Sequence, residues 1–154
     1  MRLHALALAT LLALPFAASA NPAAPAPAVA YDAELARSLG ADERGMRPYV
    51  LVILKTGPRK MAAGDERNAM FKGHFANIGK LAGERKLVLA GPLDGKEGRR
   101  GIFVLNTPDI DTARTWVALD PVIIHGEMEA EYHKFYGSAA LMTVNEVHAR
   151  IEKK

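Results

Sequence analysis

The stretch LVLAGPLDGKEGRRGIFVLN, residues 87–106, consists of two apolar runs joined by a segment rich in glycine and charged residues. The runs LVLAG (87–91) and GIFVLN (101–106) have the apolar, partly β-branched composition of strands. The segment between them contains Asp94-Gly95, a pair that tight turns favour because glycine accepts positive φ angles. The stretch therefore predicts a β-hairpin, with EGRR (97–100) in the solvated turn.

A helix is predicted on each side of this hairpin. On the N-terminal side, apolar residues recur at three- and four-residue steps from about Asp65, a good N-cap, to about Glu84. On the C-terminal side, the predicted helix begins at the capping candidate Thr107, with Pro108 just inside its first turn. Pro121 is expected to end this helix, because proline has no N–H to donate and clashes with the preceding turn.

Two further strands, one before and one after these elements in the chain, complete the pattern. YVLVILK (49–55) is apolar and rich in β-branched residues, which is typical of a strand buried on both faces. EMEAEYHKFY (127–136) alternates with period two, so one of its faces is apolar and the other is wet or functional. The apolar face comprises Met128, Ala130 and Tyr132, and the opposite face comprises Glu127, Glu129, Glu131 and His133. The order β-α-β-β-α-β predicts an α+β, ferredoxin-like fold, with an antiparallel sheet and helices on one face.

The second face of this sheet needs an explanation, because two helices cover only one face of four strands. The second face is then wet, covered by the C-terminal tail, or paired with a second copy of the chain. Among these alternatives we expect pairing, so the sequence predicts a homodimer.

The two ends of the chain differ in composition from the predicted domain at residues 48–137. Residues 1–20 begin with a basic residue, continue with an apolar run and close on Ala18-Ser19-Ala20, which is the pattern of a cleavable signal peptide. Residues 21–47 are interpreted as a Pro/Ala-rich tether with a short helix, and residues 138–154 as a C-terminal helical tail. We expect a periplasmic protein without a membrane segment after cleavage, and without disulfides because the chain has no cysteine.

Charge and motifs exclude several classes of function. The formal net charge is only +3, from 20 Lys and Arg against 17 Asp and Glu, and basic residues are not concentrated together with aromatic ones in any segment, so nucleic acid is not an expected partner. The sequence has no phosphate-binding glycine motif, no nucleophile elbow, no HExxH and no paired cysteines. We therefore expect no cofactor and no metal, and a small molecule as the substrate or ligand.

His74 and Asp120 are ionisable residues at positions where the helical spacing asks for apolar ones. His74 falls on the same helix face as Phe71 and Ile78, and Asp120 continues the apolar face of the second predicted helix three residues after Val117. A carboxylate beside an imidazole fixes its tautomer and makes it a useful general base. We therefore predict a catalytic pair. The alternative is a core histidine bonded to a backbone carbonyl, with an Asp-Pro turn at the end of the helix.

Five further residues are candidates for substrate binding. Arg100 could pair with a substrate carboxylate. Gly91 and Pro92 could form the pocket wall, where the absence of a Cβ allows a close backbone approach. His133 and Tyr136, on the last strand, could contact the same molecule.

Two other roles for histidine are open from the sequence. Glu131 and His133 share a strand face and, together with His74 or Asp120, could hold a hard divalent cation, but the alternation of the strand directs His133 away from His74. His125 could replace His74 as the partner of Asp120, because it follows only five residues later.

Several segments resemble the YCII-related proteins, small domains of the dimeric α+β barrel group. The matching segments are GHFANIGKLAGERKLVLAGPLDG (73–95), RRGIFVLNT (99–107), ALDPVIIHGEM (118–128) and EYHKFYG (131–137). The resemblance implies a ferredoxin-like fold, dimerisation through the open sheet face, and an active site built on a histidine–aspartate pair that falls on His74 and Asp120. Dehydrochlorination of chlorinated hydroquinones is an activity of the wider family. The chain departs from the family pattern by its export signal, its tail and Phe135, where the subfamily favours Trp.

These observations favour an exported enzyme that abstracts a proton from a small, cyclic or carboxylated molecule, with elimination or isomerisation as the outcome. His74 would act as general base or acid, and Asp120 would orient it and stabilise its charged form. The alternative is a non-catalytic module whose dimer cleft binds a small ligand. A third interpretation is that the His74–Asp120 contact is only structural.

Overall fold

The hairpin predicted at residues 87–106 is present in the computed structural model, which describes residues 29–153. The signal peptide predicted at residues 1–20 and most of the Pro/Ala segment lie outside the described residues. The strands are β1 (Met46–Thr56), β2 (Leu87–Pro92), β3 (Arg99–Leu105) and β4 (Met128–Ser138). The α-helices are α1 (Ala33–Ser38), α2 (Asp65–Gly83), α3 (Ile110–Val117), α4 (Pro121–Ile124) and α5 (Val144–Ile151), and short 3₁₀ segments span Lys96–Gly98 and Ala139–Thr143.

The four strands form one antiparallel sheet in the order β2-β3-β1-β4. At its centre, Val52 of β1 lies between Phe103 of β3 and Tyr132 of β4. With α2 between β1 and β2, and α3 between β3 and β4, this is the predicted ferredoxin-like fold, which is therefore confirmed.

The turn of the hairpin formed by β2 and β3 is shorter than predicted. Gly95 adopts a left-handed conformation with φ of 83°, as the Asp-Gly pair indicated, and β3 already begins at Arg99. Arg100 is therefore in a strand and not in the solvated turn. Lys55 pairs with Arg99 and Leu54 pairs with Gly101, so Arg100 is the extra residue of a β-bulge. A bulge changes the direction of the side chain it carries, which decides where Arg100 points.

The helix α2 begins at Asp65, as predicted, but the N-caps of both main helices differ from the predicted ones by one or two residues. The N-cap of α2 is Gly64, while Asp65 is the first helical residue, where its charge favours the positive end of the helix dipole. The N-cap of α3 is Asp109, whose carboxylate accepts a hydrogen bond from Thr112 N at 2.7 Å, and the Thr107 hydroxyl only accepts from Asp109 N at 3.1 Å.

Pro121 begins a helix and does not end one. The helix α3 already ends at Val117, and Pro121 is the first residue of α4, where its missing N–H costs no hydrogen bond. Asp120 is therefore the N-cap of α4 and not the last turn of α3. This short helix is absent from the sequence prediction, which treats the segment as an apolar connection.

The sheet has a buried cluster on each face. The face under α2 and α3 carries the larger one, whose centre includes Val52, Phe103 and Val117. The alternation predicted for the last strand is confirmed, since Met128, Ala130 and Tyr132 all belong to this helix-side cluster.

The opposite sheet face has a smaller cluster formed by Tyr49, Val88 and Val104. Leu141 and Met142, in the 3₁₀ segment after β4, pack against this cluster, so the tail covers part of the second sheet face. Dimerisation through the rest of that face stays a prediction. Among the described residues, no helix combines the length and apolarity needed to span a membrane.

Candidate active site

His74 lies on the inner face of α2 and is 7% exposed. Its ring stacks on Phe103 of β3, with a centroid distance of 6.0 Å and an interplanar angle of 24°. Phe75 and Phe71 flank the imidazole at centroid distances of 5.3 and 6.2 Å. The imidazole is thus held among aromatic rings, with few alternative orientations.

The structure places His74 and Asp120 in contact. His74 Nδ1 lies 2.9 Å from Oδ1 and 2.9 Å from Oδ2 of Asp120, which is 1% exposed. A carboxylate only accepts, so Nδ1 carries the hydrogen. Asn77 Nδ2 donates to Oδ2 at 3.2 Å and Val122 N donates to Oδ1 at 3.1 Å. Three donors therefore compensate the buried carboxylate for its lost hydration.

Two parts of this geometry had sequence signals that the prediction did not use. Asp120 followed by Pro121 is the pattern of an N-cap with proline at the first helical position, which predicts the bond from Val122 N. Asn77 follows His74 by three residues, so the two side chains share a helix face and reach the same carboxylate.

Gly73 is the residue that lets α2 and α4 approach closely enough for this contact. A Cβ at position 73 would lie 2.9 Å from Cγ of Pro121, next to Asp120. Alanine normally stabilises an exposed helix by roughly 0.5–1 kcal/mol relative to glycine. We expect Gly73→Ala not to raise the free energy of unfolding, because the rigid Pro121 ring has to move to accommodate the new Cβ. The same movement should change the His74 NMR signals.

The matched control is Gly79→Ala in the same helix, since a Cβ at position 79 would meet nothing within 4 Å. We expect Gly79→Ala to raise the free energy of unfolding by the usual roughly 0.5–1 kcal/mol and to leave the His74 signals unchanged. Equal stabilisation by both substitutions in urea unfolding would contradict the role given to Gly73.

The His74 ring borders a cavity of about 440 Å³ between α2 and the sheet. Within the described residues, His74 Nε2 has no hydrogen-bond partner. This nitrogen is not fully buried, so it is accessible to a molecule in the cavity. The cavity walls are mostly apolar, and the ionisable groups that the described residues contribute are His74 and Arg100. The lining residues are Leu54, Phe71, His74, Phe75, Ile78, Ala90, Gly91, Pro92, Arg100, Gly101, Phe103 and Met128. Its size and character suit a small molecule.

Three of the predicted substrate-binding residues, Gly91, Pro92 and Arg100, line this cavity. A Cβ at Gly91 would meet no atom of the described chain within 4 Å, so no packing contact requires a glycine there, and a close approach to a bound molecule stays a prediction. The crowded position is Gly101 on the neighbouring strand, where a Cβ would lie 3.0 Å from the Gly91 carbonyl oxygen.

The other two predicted substrate-binding residues lie elsewhere. Tyr136 is eight residues along β4 from Met128, about 26 Å in an extended strand, and its hydroxyl donates to Asp42. His133 pairs in register with Leu51 on the opposite sheet face and contacts Glu131, with Nε2 2.8 Å from Oε1. Strand alternation and strand length thus separate both residues from the cavity.

The two other histidine roles are not supported by the geometry. His125 is the exposed C-cap of α4, and the partner of Asp120 is His74. In the part of the chain that the structure describes, no group of three or more His, Asp or Glu side chains could hold a metal ion. Glu131 instead pairs with Lys55 Nζ at 3.5 Å, as well as with His133.

Glu127 is the residue for which the sequence prediction fails most clearly. It was expected on the wet or functional face of the last strand, opposite Met128, but it is 1% exposed and precedes β4, so strand alternation does not apply to it. Its Oε1 accepts from Arg67 at 2.8 Å, and its Oε2 accepts from Met61 N at 2.7 Å. Burial alone would raise the pKa of Glu127, but these bonds and the charges of Arg67 and Arg100 outweigh burial and hold its pKa below the usual range.

No known protein-family profile matches the chain. Comparison with curated proteins gives no significant match either. Among solved structures, the chain is similar to the 5-chloro-2-hydroxyhydroquinone dehydrochlorinase of Burkholderia phenoliruptrix AC1100, solved in complex with 2,5-dihydroxybenzoquinone. The two are 17% identical, the likeness covers 56% of this chain and 92% of that chain, and the TM-score is 0.40. A likeness at this level does not extend to activity or ligand.

Proposed function

We propose that the chain is a YCII-related enzyme that uses His74 for acid–base chemistry on a small molecule. The observation that carries this proposal is the pairing of His74 Nδ1 with both oxygens of Asp120, at 2.9 Å each, beside a cavity of about 440 Å³. An imidazole held in one tautomer by a buried carboxylate, with its second nitrogen free, is the arrangement that a general base requires.

The proposed reaction begins when Nε2 of His74 takes a proton from a carbon of the bound molecule. Asp120 acts as a positioning residue, because it fixes the ring orientation and stabilises the imidazolium that forms. The proton then returns to a different carbon in an isomerisation, or a leaving group departs in an elimination. The apolar walls keep water from competing for the proton and from screening the charges.

We further propose that this enzyme is exported to the periplasm and works as a homodimer. Support for export comes from the signal-peptide pattern of residues 1–20. Support for a dimer comes from the second sheet face, which α2 and α3 do not cover and the tail covers only in part.

The tautomer of His74 tests the role of Asp120 without a substrate. In two-dimensional ¹⁵N–¹H spectra of the full chain, the His74 resonances, identified by their absence in His74→Ala, should show a protonated Nδ1 and an unprotonated Nε2. Asp120→Asn should shift this preference, since an amide is a weaker acceptor and can also donate. A wild-type ring protonated at Nε2 alone, or spectra that Asp120→Asn leaves unchanged, would contradict the proposal.

A non-catalytic binding module is the second candidate, because only two ionisable side chains of the described residues line an otherwise apolar cavity. In that case His74 contributes a hydrogen bond to the ligand and no proton transfer. The two functions differ in one measurable property, since only the enzyme exchanges carbon-bound hydrogen of a bound molecule with solvent.

A further inference from the structure

Arg100 is a cation at the cavity wall that forms no ion pair with a carboxylate of the described residues. Among the described residues its guanidinium makes no hydrogen bond and no ion pair, although the residue is partly buried. The adjacent Arg99 pairs with Glu97 at 3.0 Å, and Arg67 pairs with Glu127 at 2.8 Å. The bulge in β3 accounts for this difference, because it turns Arg100 toward the cavity while Arg99 stays in the ladder.

The acidic residues near this cavity are committed to other partners. Glu127 lies close enough to Arg100 for the arginine charge to contribute to its lowered pKa, but its two oxygens already accept from Arg67 and Met61 N. Asp120 is occupied by three donors. Neither carboxylate therefore forms an ion pair with the Arg100 guanidinium, which lies at the wall of a largely apolar cavity.

The spacing between Arg100 and His74 indicates the length of a molecule that could contact both residues. Arg100 lies three residues along β3 from Phe103, on which the His74 ring stacks, and three residues of a strand span about 10 Å. The arginine side chain shortens that gap when it reaches into the cavity. A molecule of one ring with a charged group at one end fits between them.

We propose that the cavity binds a small, one-ring carboxylate whose anionic group pairs with Arg100 while its apolar ring lies against the aromatic wall beside His74. The planar guanidinium fork matches a carboxylate with two parallel hydrogen bonds, which favours this anion over a neutral amide or alcohol. The inference rests on the proposed function, since it names the substrate class of the same cavity.

Isothermal titration calorimetry with benzoate and benzamide tests the inference on the full chain. The two probes have nearly the same shape and differ in charge. We expect the wild-type protein to bind benzoate more tightly than benzamide, and Arg100→Gln to weaken benzoate binding by about tenfold to a hundredfold without affecting benzamide. The benzoate affinity of Arg100→Lys should lie between those of the wild type and Arg100→Gln, because lysine keeps the positive charge but cannot form two parallel hydrogen bonds.

Arg99→Gln is the matched control, because Arg99 is adjacent in sequence, exposed and paired with Glu97 outside the cavity. It should bind benzoate like the wild type. Equal affinity of the wild type for benzoate and benzamide, or equal loss in Arg99→Gln and Arg100→Gln, would overturn the inference. Neither outcome affects the tautomer of His74, so failure here is distinguishable from failure of the proposed function.

Discussion

The His74→Ala variant is expected to remain folded and to lose catalysed proton exchange by about 10²–10⁴-fold, the usual contribution of a general base. The reaction to follow is the exchange of hydrogens beside the carbonyl of 3-oxocyclohexanecarboxylate with solvent deuterium, recorded by proton NMR. Cyclohexanone, which lacks the carboxylate, tests His74 independently of Arg100. The fold should survive because Asp120 keeps hydrogen bonds from Asn77 and Val122 N.

His125→Ala is the control for this experiment, since His125 is exposed and lies just beyond α4. This variant should catalyse the exchange of the ketone hydrogens at the wild-type rate. If His74→Ala also exchanges at that rate, His74 is not the base. If the wild-type protein binds benzoate but exchanges neither ketone faster than buffer does, the non-catalytic binding module is the correct account of the cavity.

The second large effect is expected at Glu127. Glu127→Ala should lower the free energy of unfolding by about 3 kcal/mol, because it leaves the Arg67 guanidinium and Met61 N without their acceptor. Arg67 also lies over the Phe71 ring at 4.7 Å, so its displacement loosens one wall of the cavity. Urea unfolding measures the loss. The exposed Glu129→Ala on β4 is the matched control, and its effect should stay within about 0.5 kcal/mol.

The contribution of Glu127 should also depend on pH. Its pKa is lowered in the folded chain, so the carboxylate stabilises the fold fully above the unfolded value of about 4.3, and this stabilisation is lost as the pH falls through the folded pKa. The stability difference between the wild type and Glu127→Gln should therefore be constant near neutral pH and shrink in acid. A difference that grows as the pH falls would contradict the lowered pKa.

The sequence was sufficient for the parts of the fold that depend on periodic patterns. The hairpin, the order of the six main elements and the inner face of β4 all follow from composition and alternation over several residues. The N-caps of α2 and α3 were misassigned because several capping residues lie close together in GDER and TPDID, and only the backbone geometry decides which of them is the cap.

The candidate site was only partly predictable, for reasons of geometry. Asp120 was identified as a candidate because its spacing continues the apolar face of the second predicted helix. In the structure, α3 ends at Val117 and Asp120 caps α4. Arg100 depends on a bulge, which one strand alone does not reveal. The Arg67–Glu127 pair joins residues 60 positions apart, neither of which interrupts a pattern, so no local signal indicated their contact.

The double use of Asp120 restricts which amino acids evolution can accept at that position. Serine, threonine or asparagine would still cap α4 but would remove the negative charge beside the imidazole. Glutamate would retain the charge, but its additional methylene group makes it a poor cap. Aspartate alone satisfies both demands, so a lineage without selection for the proposed chemistry could drift among the capping residues without losing the fold. The residue at position 120 would therefore record whether selection for the imidazole partner has persisted.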